Sequence, residues 1–279
     1  MTSEPSNPPA SPGRTAVVLG SSFLGVYAHA GFLNGLMAAG LEPARIAGSS
    51  AGALAGALFS GGLRGEELKR EATSGRLRWS FTDVGGLWRL PGVLTSFWAT
   101  GVFHGKRTVA HLRDLLGETD LSELPLDIAV TDVVGSRAEI LRQGPVAESV
   151  MASCAVPGLF TVQQIGERRY LDGGIACELP FEHLIEDPEI DTILIHRIRH
   201  ESGSGPNVGW ETVANSIGTA HHTACNELHR LRVERCEMHG KRLIELDTTT
   251  PFPGLLSGKL APLCYDRGFD SGQSATRHL

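Results

Sequence analysis

The chain has 279 residues, 41% hydrophobic and 20% charged, and a net charge of −6 at pH 7. That supplies an ample core, and an acidic balance without a basic stripe excludes the electrostatic footprint of a nucleic-acid binder. Bulk charge gives no attraction to anionic membranes, and no apolar run reaches transmembrane length. Five cysteines without CxxC spacing fit reduced thiols in a cytoplasmic protein.

Residues 1–15 are rich in Pro and Ser, hold no apolar run and read as a disordered tail; they lack the basic start and apolar core of a secretory signal. Thr15–Leu19 then reads as a short apolar strand. Gly20-Ser21-Ser22-Phe23-Leu24-Gly25 turns it into a helix from about Val26 to Ala39, with Gly40 as C-cap. This loop lacks the middle glycine of G-x-G-x-x-G, and Val26-Tyr27 stands in place of a P-loop's Lys-Ser/Thr, so nucleotide binding is not supported. A second strand, Ala44–Ala47, runs into Gly48-Ser49-Ser50-Ala51-Gly52 and the helix-forming stretch Ala53–Leu58. Two consecutive strand–turn–helix units imply an α/β protein with a parallel sheet.

The pentapeptide matches G-x-S-x-G in the strand–turn–helix setting of a nucleophile elbow, where a sharp turn aims a serine hydroxyl into a cleft. The helix N-terminus behind it offers free N–H groups and partial positive charge where an oxyanion forms. Ser50 has the glycine spacing of the nucleophile, whereas Ser49 occupies the variable position. The competing reading is a small-residue turn that lets strand and helix pack closely.

Further along, Glu66–Ser74 and Arg107–Leu116 read as helices. Between them, residues 79–104 concentrate Trp79, Phe81, Trp88, Phe97, Trp98 and Phe103. Two readings stand for this segment: a cap that touches lipid over the cleft, or aromatics packing a subdomain core, which we favour. Leu126–Val133 and Ala138–Leu141 are strands around Gly135-Ser136, and Val146–Cys154 is a helix ending before Pro157. An extended Arg169–Leu171 leads into Asp172-Gly173-Gly174, a turn suited to holding a carboxylate at a strand end. Thr192–His196 is a buried-type strand, Trp210 to about His239 is the longest helix, and Leu243–Leu246 is a late strand.

A serine hydroxyl needs a base. None of His183, His196, His200, His221, His222 or His239 sits in a glycine-flanked turn after a strand. His221, Cys225 and His229 recur at i, i+4 and i+8, but such positions drift around a helix and no fourth ligand accompanies them; a helix face is the better reading than a metal site.

In combination, four segments resemble the patatin-like phospholipase family in the family's order. Gly20–Gly25 falls at its glycine-rich oxyanion loop, Gly48–Gly52 at its nucleophile elbow, Ala152–Phe160 at its A-S-x-A-x-P-x-x-F segment, and Asp172-Gly173-Gly174 at its D-G-G motif. The strand pair around Thr131-Asp132 is also similar, and the resemblance covers roughly residues 15–270. It implies a three-layer α/β/α domain with a mainly parallel central sheet over residues 16–279, within which 79–104 is the possible cap segment. It also implies a Ser50–Asp172 dyad with no histidine, metal or cofactor, and oxyanion donors from Ser21, Ser22 and Ala51. The motif glycines are Gly20, Gly25, Gly48, Gly52, Gly173 and Gly174. The implied activity is hydrolysis of lipid acyl esters, of the phospholipase A or lysophospholipase kind, through an acyl-enzyme, with a lipid or other acyl ester as substrate and peripheral membrane contact as a possibility. A carboxylesterase for soluble esters and a catalytically weak protein that binds lipid or a partner are the alternatives. The chain departs from the family pattern G-G-G-x-[RK]-G at Ser21, Ser22 and Leu24, and Glu178 stands where asparagine is common.

Overall fold

The computed structural model describes residues 14–95, 100–201, 213–254 and 257–278. Most of the expected tail, Phe97 and Trp98 of the aromatic segment, and the Trp210 start of the long helix lie outside the described residues. The first two units form as expected, with β1 (Thr15–Leu19), α1 (Val26–Ala38), β2 (Arg45–Ser49) and α2 (Ala51–Ser60). They are followed by α3 (Gly65–Ala72), α4 (Gly75–Ser80) and α5 (Leu90–Thr95), then β3 (Gly101–Phe103) and α6 (Lys106–Leu116). The hairpin β4 (Leu126–Asp132) and β5 (Arg137–Leu141) precedes α7 (Val146–Ser153). Three short strands come next: β6 (Gly158–Phe160), β7 (Gln163–Ile165) and β8 (Arg168–Leu171). After α8 (Gly173–Ala176) and α9 (Glu182–Ile185) the chain forms β9 (Thr192–His200), α10 (Val213–Met238), β10 (Arg242–Thr250) and α11 (Ala261–Ala275).

The main sheet runs β10-β9-β1-β2-β4-β8-β7, with β5 also paired to β4. From β10 to β4 every pairing is parallel, and the β4, β5, β7 and β8 side is antiparallel. Strand alternation separates two cores, because successive side chains point to opposite faces. Val17, Leu19, Ile46 and Leu194 pack with Leu33, Leu36, Leu54 and Leu58 from α1 and α2. Ala16, Val18, Ala47, Ile193 and Ile195 pack instead with Leu184 and Ile185 of α9 and Cys236 of α10. Helices therefore cover both faces, giving the three layers.

The register of β4 decides where the strand ends meet. One edge of β4 is taken by β5 from Ile128 to Asp132. Both β2 and β8 must then lie on the other edge. β2 ends with Ser49 opposite Ala129, and β8 arrives from the opposite direction with Leu171 opposite Thr131. Two strands thus run head-on along one edge of β4, with only Val130 between their last partners. The turns that follow them, at Ser50 and Asp172, are brought together.

The aromatic segment divides. Phe81 and Phe103 pack on Phe160, with ring centroids 6.0 and 5.9 Å away, as subdomain packing requires. Trp79 and Trp88 are exposed. Among the described residues no helix is long and apolar enough to cross a membrane, and no cluster of His, Cys, Asp and Glu could hold a metal ion. Cys225 Sγ lies 3.5 Å from His221 Nε2, while His229 is paired with Glu245, so the three side chains do not converge on one point.

Candidate active site

Ser50 links β2 to α2 with φ 53° and ψ −117°, a conformation that a non-glycine residue adopts only when its surroundings enforce it. The enforcement is visible. The Ser50 N–H donates to Ser153 Oγ at 2.9 Å, and the Ser50 carbonyl accepts from the Cys154 thiol at 3.3 Å and from Leu54 N–H at 3.1 Å. A Cβ on Gly52 would overlap the Leu19 carbonyl, so the helix can leave the strand at this angle only with glycine there. Ser49 is fully buried with its hydroxyl against Gly173, away from the cleft.

Asp172 is held by the same segment. Its N–H donates to the Ala155 carbonyl at 3.0 Å, and its carbonyl accepts from Thr131 Oγ1 at 2.8 Å. Ser153 Oγ in turn donates to the Ala129 carbonyl at 2.7 Å, tying the end of α7 to β4. Ser153, Cys154 and Ala155 therefore grip the backbones of both Ser50 and Asp172. Their sequence signal was the A-S-x-A-x-P-x-x-F segment, which marked the stretch without saying what it holds.

The Ser50 hydroxyl donates to Asp172 Oδ2 at 2.7 Å, and Gly174 N–H donates to Asp172 Oδ1 at 2.7 Å. The carboxyl is 4% exposed, and burial raises its pKa to about 6 against the lowering effects of these two hydrogen bonds. Of the histidines considered as bases, His196 bonds to His29 and Thr248, His183 to Asp127, His200 to the Phe23 carbonyl, His221 to the Gly174 carbonyl and His239 to the Arg235 carbonyl. The His222 side chain lies outside the described residues.

The loop after β1 solves its lack of glycines in an unexpected place. Neither Ser21 nor Ser22 has a positive φ; the left-handed residue is Leu24, at φ 56°. The Ser21 N–H donates to the Glu178 carbonyl at 3.0 Å and is thereby removed from the expected oxyanion donors. Residue 178 acts through its backbone, which explains how glutamate can replace asparagine there. Gly20 N–H donates to the His196 carbonyl at 3.1 Å. Among the described residues the N–H groups of Ser22 and Ala51 have no acceptor, and both residues line the same cavity as Ser50.

That cavity, of about 150 Å³, has apolar walls formed by residues such as Leu54, Leu77, Phe81, Phe103, Leu159 and Phe160. Among the described residues that line it, Arg78 is the one that is charged.

A three-layer α/β sandwich whose second strand ends in a strained serine turn, met by an aspartate from an antiparallel strand, has the patatin-like architecture. Residues 17–185 match the family described as patatin-like phospholipase, and the chain belongs to that family. An uncharacterized NTE family protein of Mycobacterium bovis, Mb1092c, is 30% identical over 169 residues, covering 60% of this chain and 44% of that protein. Another, Rv2565 of Mycobacterium tuberculosis, is 28% identical over 173 residues, covering 60% of this chain and 27% of that protein. The chain thus spans less than half the length of these relatives. Among solved structures, VipD from Legionella pneumophila superposes with a TM-score of 0.54 at 14% identity, covering 96% of this chain and 67% of that one. ExoU in its complex with SpcU, from Pseudomonas aeruginosa, gives 0.50 at 15% identity, covering 96% and 52%. At these identities the likeness is one of fold.

Proposed function

We propose that this protein hydrolyses acyl esters of lipids, with Ser50 as nucleophile and Asp172 as its general base. The observation that carries this reading is the 2.7 Å hydrogen bond from the Ser50 hydroxyl to Asp172 Oδ2, beside an apolar cavity. Asp172 takes the proton as Ser50 Oγ attacks the ester carbonyl carbon. The resulting oxyanion lies at the N-terminus of α2, where the N–H groups of Ser22 and Ala51 are free to receive it. Collapse breaks the ester C–O bond, and the leaving alcohol carries off the proton held by Asp172. Water then attacks the acyl-enzyme, giving its proton to Asp172, which returns it to Ser50 Oγ as the acid departs. A carboxyl with a pKa of about 6 is largely ionised at neutral pH yet a stronger base than an ordinary aspartate. Membership of the patatin-like phospholipase family supports the same substrate class.

The cavity volume of about 150 Å³ favours a second reading, an esterase for short-chain soluble esters, since a space of that order holds a group about the size of benzene. Labelling by a fluorophosphonate probe tests the first claim: wild type labels, and Ser50→Ala and Asp172→Asn do not. Labelling that survives Ser50→Ala refutes the nucleophile, and folded wild type that never labels favours a lipid- or partner-binding protein without catalysis. A series of p-nitrophenyl esters of rising acyl length then separates lipid hydrolase from short-chain esterase.

A further inference from the structure

Arg78 is unusual in its setting. It stands on α4 in the wall of the cavity that holds Ser50, and every other described residue lining that cavity is uncharged. Nearby arginines have carboxylate partners, Arg76 with Asp114 and Arg89 with Asp83. Among the described residues Arg78 forms no ion pair, and its Nε is buried without an acceptor. Tyr27, 2% exposed, lines the same cavity, and the neighbouring Arg78 cation acts against the rise that burial imposes on the Tyr27 pKa. The guanidinium is backed by Gly258, where a Cβ would overlap Nη1, and its Cζ lies 5.9 Å from the centre of the Trp79 ring. Packing therefore presents a flat cation, with a hydroxyl beside it, to an otherwise apolar space.

A partly buried cation whose Nε is buried without an acceptor has unmet hydrogen-bonding capacity, and a guanidinium's planar fork suits the two oxygens of a phosphate or carboxylate. The carboxylate of the released acid forms on the carbon that Ser50 attacks, where the Ser22 and Ala51 N–H groups lie. A cation elsewhere on the wall is placed for the other end of the ester. Resting on the Ser50–Asp172 reading, we infer that Arg78, assisted by the Tyr27 hydroxyl, binds the phosphate of the substrate's leaving group. Arg78 is then the residue that sets the preference for phosphorylated acyl esters over neutral glycerides.

Two soluble esters with the same acyl chain, 1-hexanoyl-lysophosphatidylglycerol and 1-hexanoylglycerol, test this. Arg78→Met lowers kcat/KM for the phosphorylated ester by roughly 10- to 100-fold more than for the neutral one, the size of a lost charge-assisted hydrogen bond, and mainly through KM. Arg78→Lys restores part of the difference, and Tyr27→Phe loses a smaller factor in the same direction. An equal loss on both esters means that Arg78 only supports the fold, and overturns the inference. So does a loss confined to inhibition by hexanoate, which would assign the cation to the released acid. Titration of the Ser50→Ala protein with each ester reads binding without turnover. There Arg78→Met must weaken the phosphorylated ester selectively, whatever fluorophosphonate labelling says about Ser50.

Discussion

Two buried, hydrogen-bonded pairs of polar groups lie close to the strand ends of this sheet, Ser50 with Asp172 and His29 with His196. In the second pair both rings are fully buried and the Nδ1 atoms are 2.9 Å apart. His29 Nε2 is 2.9 Å from the Gly20 carbonyl, which can only accept, so that nitrogen carries the proton. His29 Nδ1 must then accept from His196 Nδ1–H, and His196 Nε2 accepts from the Thr248 hydroxyl at 2.8 Å. Every partner is assigned, Phe32 stacks on the His196 ring at 3.9 Å, and no side is left for a substrate. Burial acts on both pairs by disfavouring charge. It lowers His29 to about 3 and raises Asp172 to about 6. Ser50, 9% exposed, still faces a cavity. A shifted pKa alone does not mark a catalytic group; a shifted group with one open side does.

The contrast can be broken most directly at Ser50. Ser50→Ala should lower ester hydrolysis by roughly 10⁴-fold or more and abolish probe labelling, as read by steady-state kinetics and gel fluorescence. Asp172→Asn should cost roughly 10³- to 10⁴-fold in kcat and yet stabilise the fold at pH 8. The native Asp172 pKa, about 6, lies above its ordinary 3.8, so the native state keeps a proton that the unfolded chain has released. That stability is present in full below about pH 4 and is lost as pH rises through 6. At pH 8 the ionised carboxylate therefore costs on the order of 3 kcal/mol. Calorimetry should find a higher Tm for Asp172→Asn at pH 8 and a shrinking gain toward pH 4.

On the sealed side, His29→Leu should destabilise by roughly 2–4 kcal/mol in denaturant titration, because it leaves His196 Nδ1–H and the Gly20 carbonyl unpaired. His29→Gln keeps an amide donor at about the same reach and should lose less. The sign of the histidine's pH dependence is opposite to that of Asp172. With its folded pKa lowered to about 3, His29 contributes stability that is present above pH 6.5 and lost as pH falls toward 3. The smallest effect concerns rate. Below about pH 6, kcat/KM should fall about tenfold per pH unit with a single ionisation, that of Asp172. A second ionisation from the histidine pair would end the contrast.

Much of this was legible locally. Thr15–Leu19 is wholly buried as a strand, and the helix read from Val26 forms from Val26 to Ala38. The elbow lies between β2 and α2. The β4–β5 hairpin also forms around the Gly135-Ser136 turn that marked it, with Ser136 taking the positive φ. α11 was not read at all. Gly268 and Gly272 lower its intrinsic helix propensity, and its stability comes from a neighbour 230 or more positions earlier in the chain. A Cβ on Gly268 would overlap the Ala28 carbonyl of α1, and one on Gly31 would overlap the Tyr265 carbonyl of α11. The glycines that weaken the helix in isolation are what let the two backbones touch.

The same division runs through the candidate site. Local sequence determined the turn at Ser50, because a short apolar strand, two glycines and a helix-forming run prescribe backbone geometry over a few residues. It also marked Asp172 through its glycine pair. Only the tertiary structure decided that the two side chains meet, since β2 and β8 abut on one edge of β4. The loop donors were settled there as well. Ser21 N–H is consumed by Glu178, a residue 157 positions away, and Leu24 takes the strained φ in place of a glycine. Hydrogen bonds between distant segments carry no local periodicity, so no reading of the loop by itself could have found them.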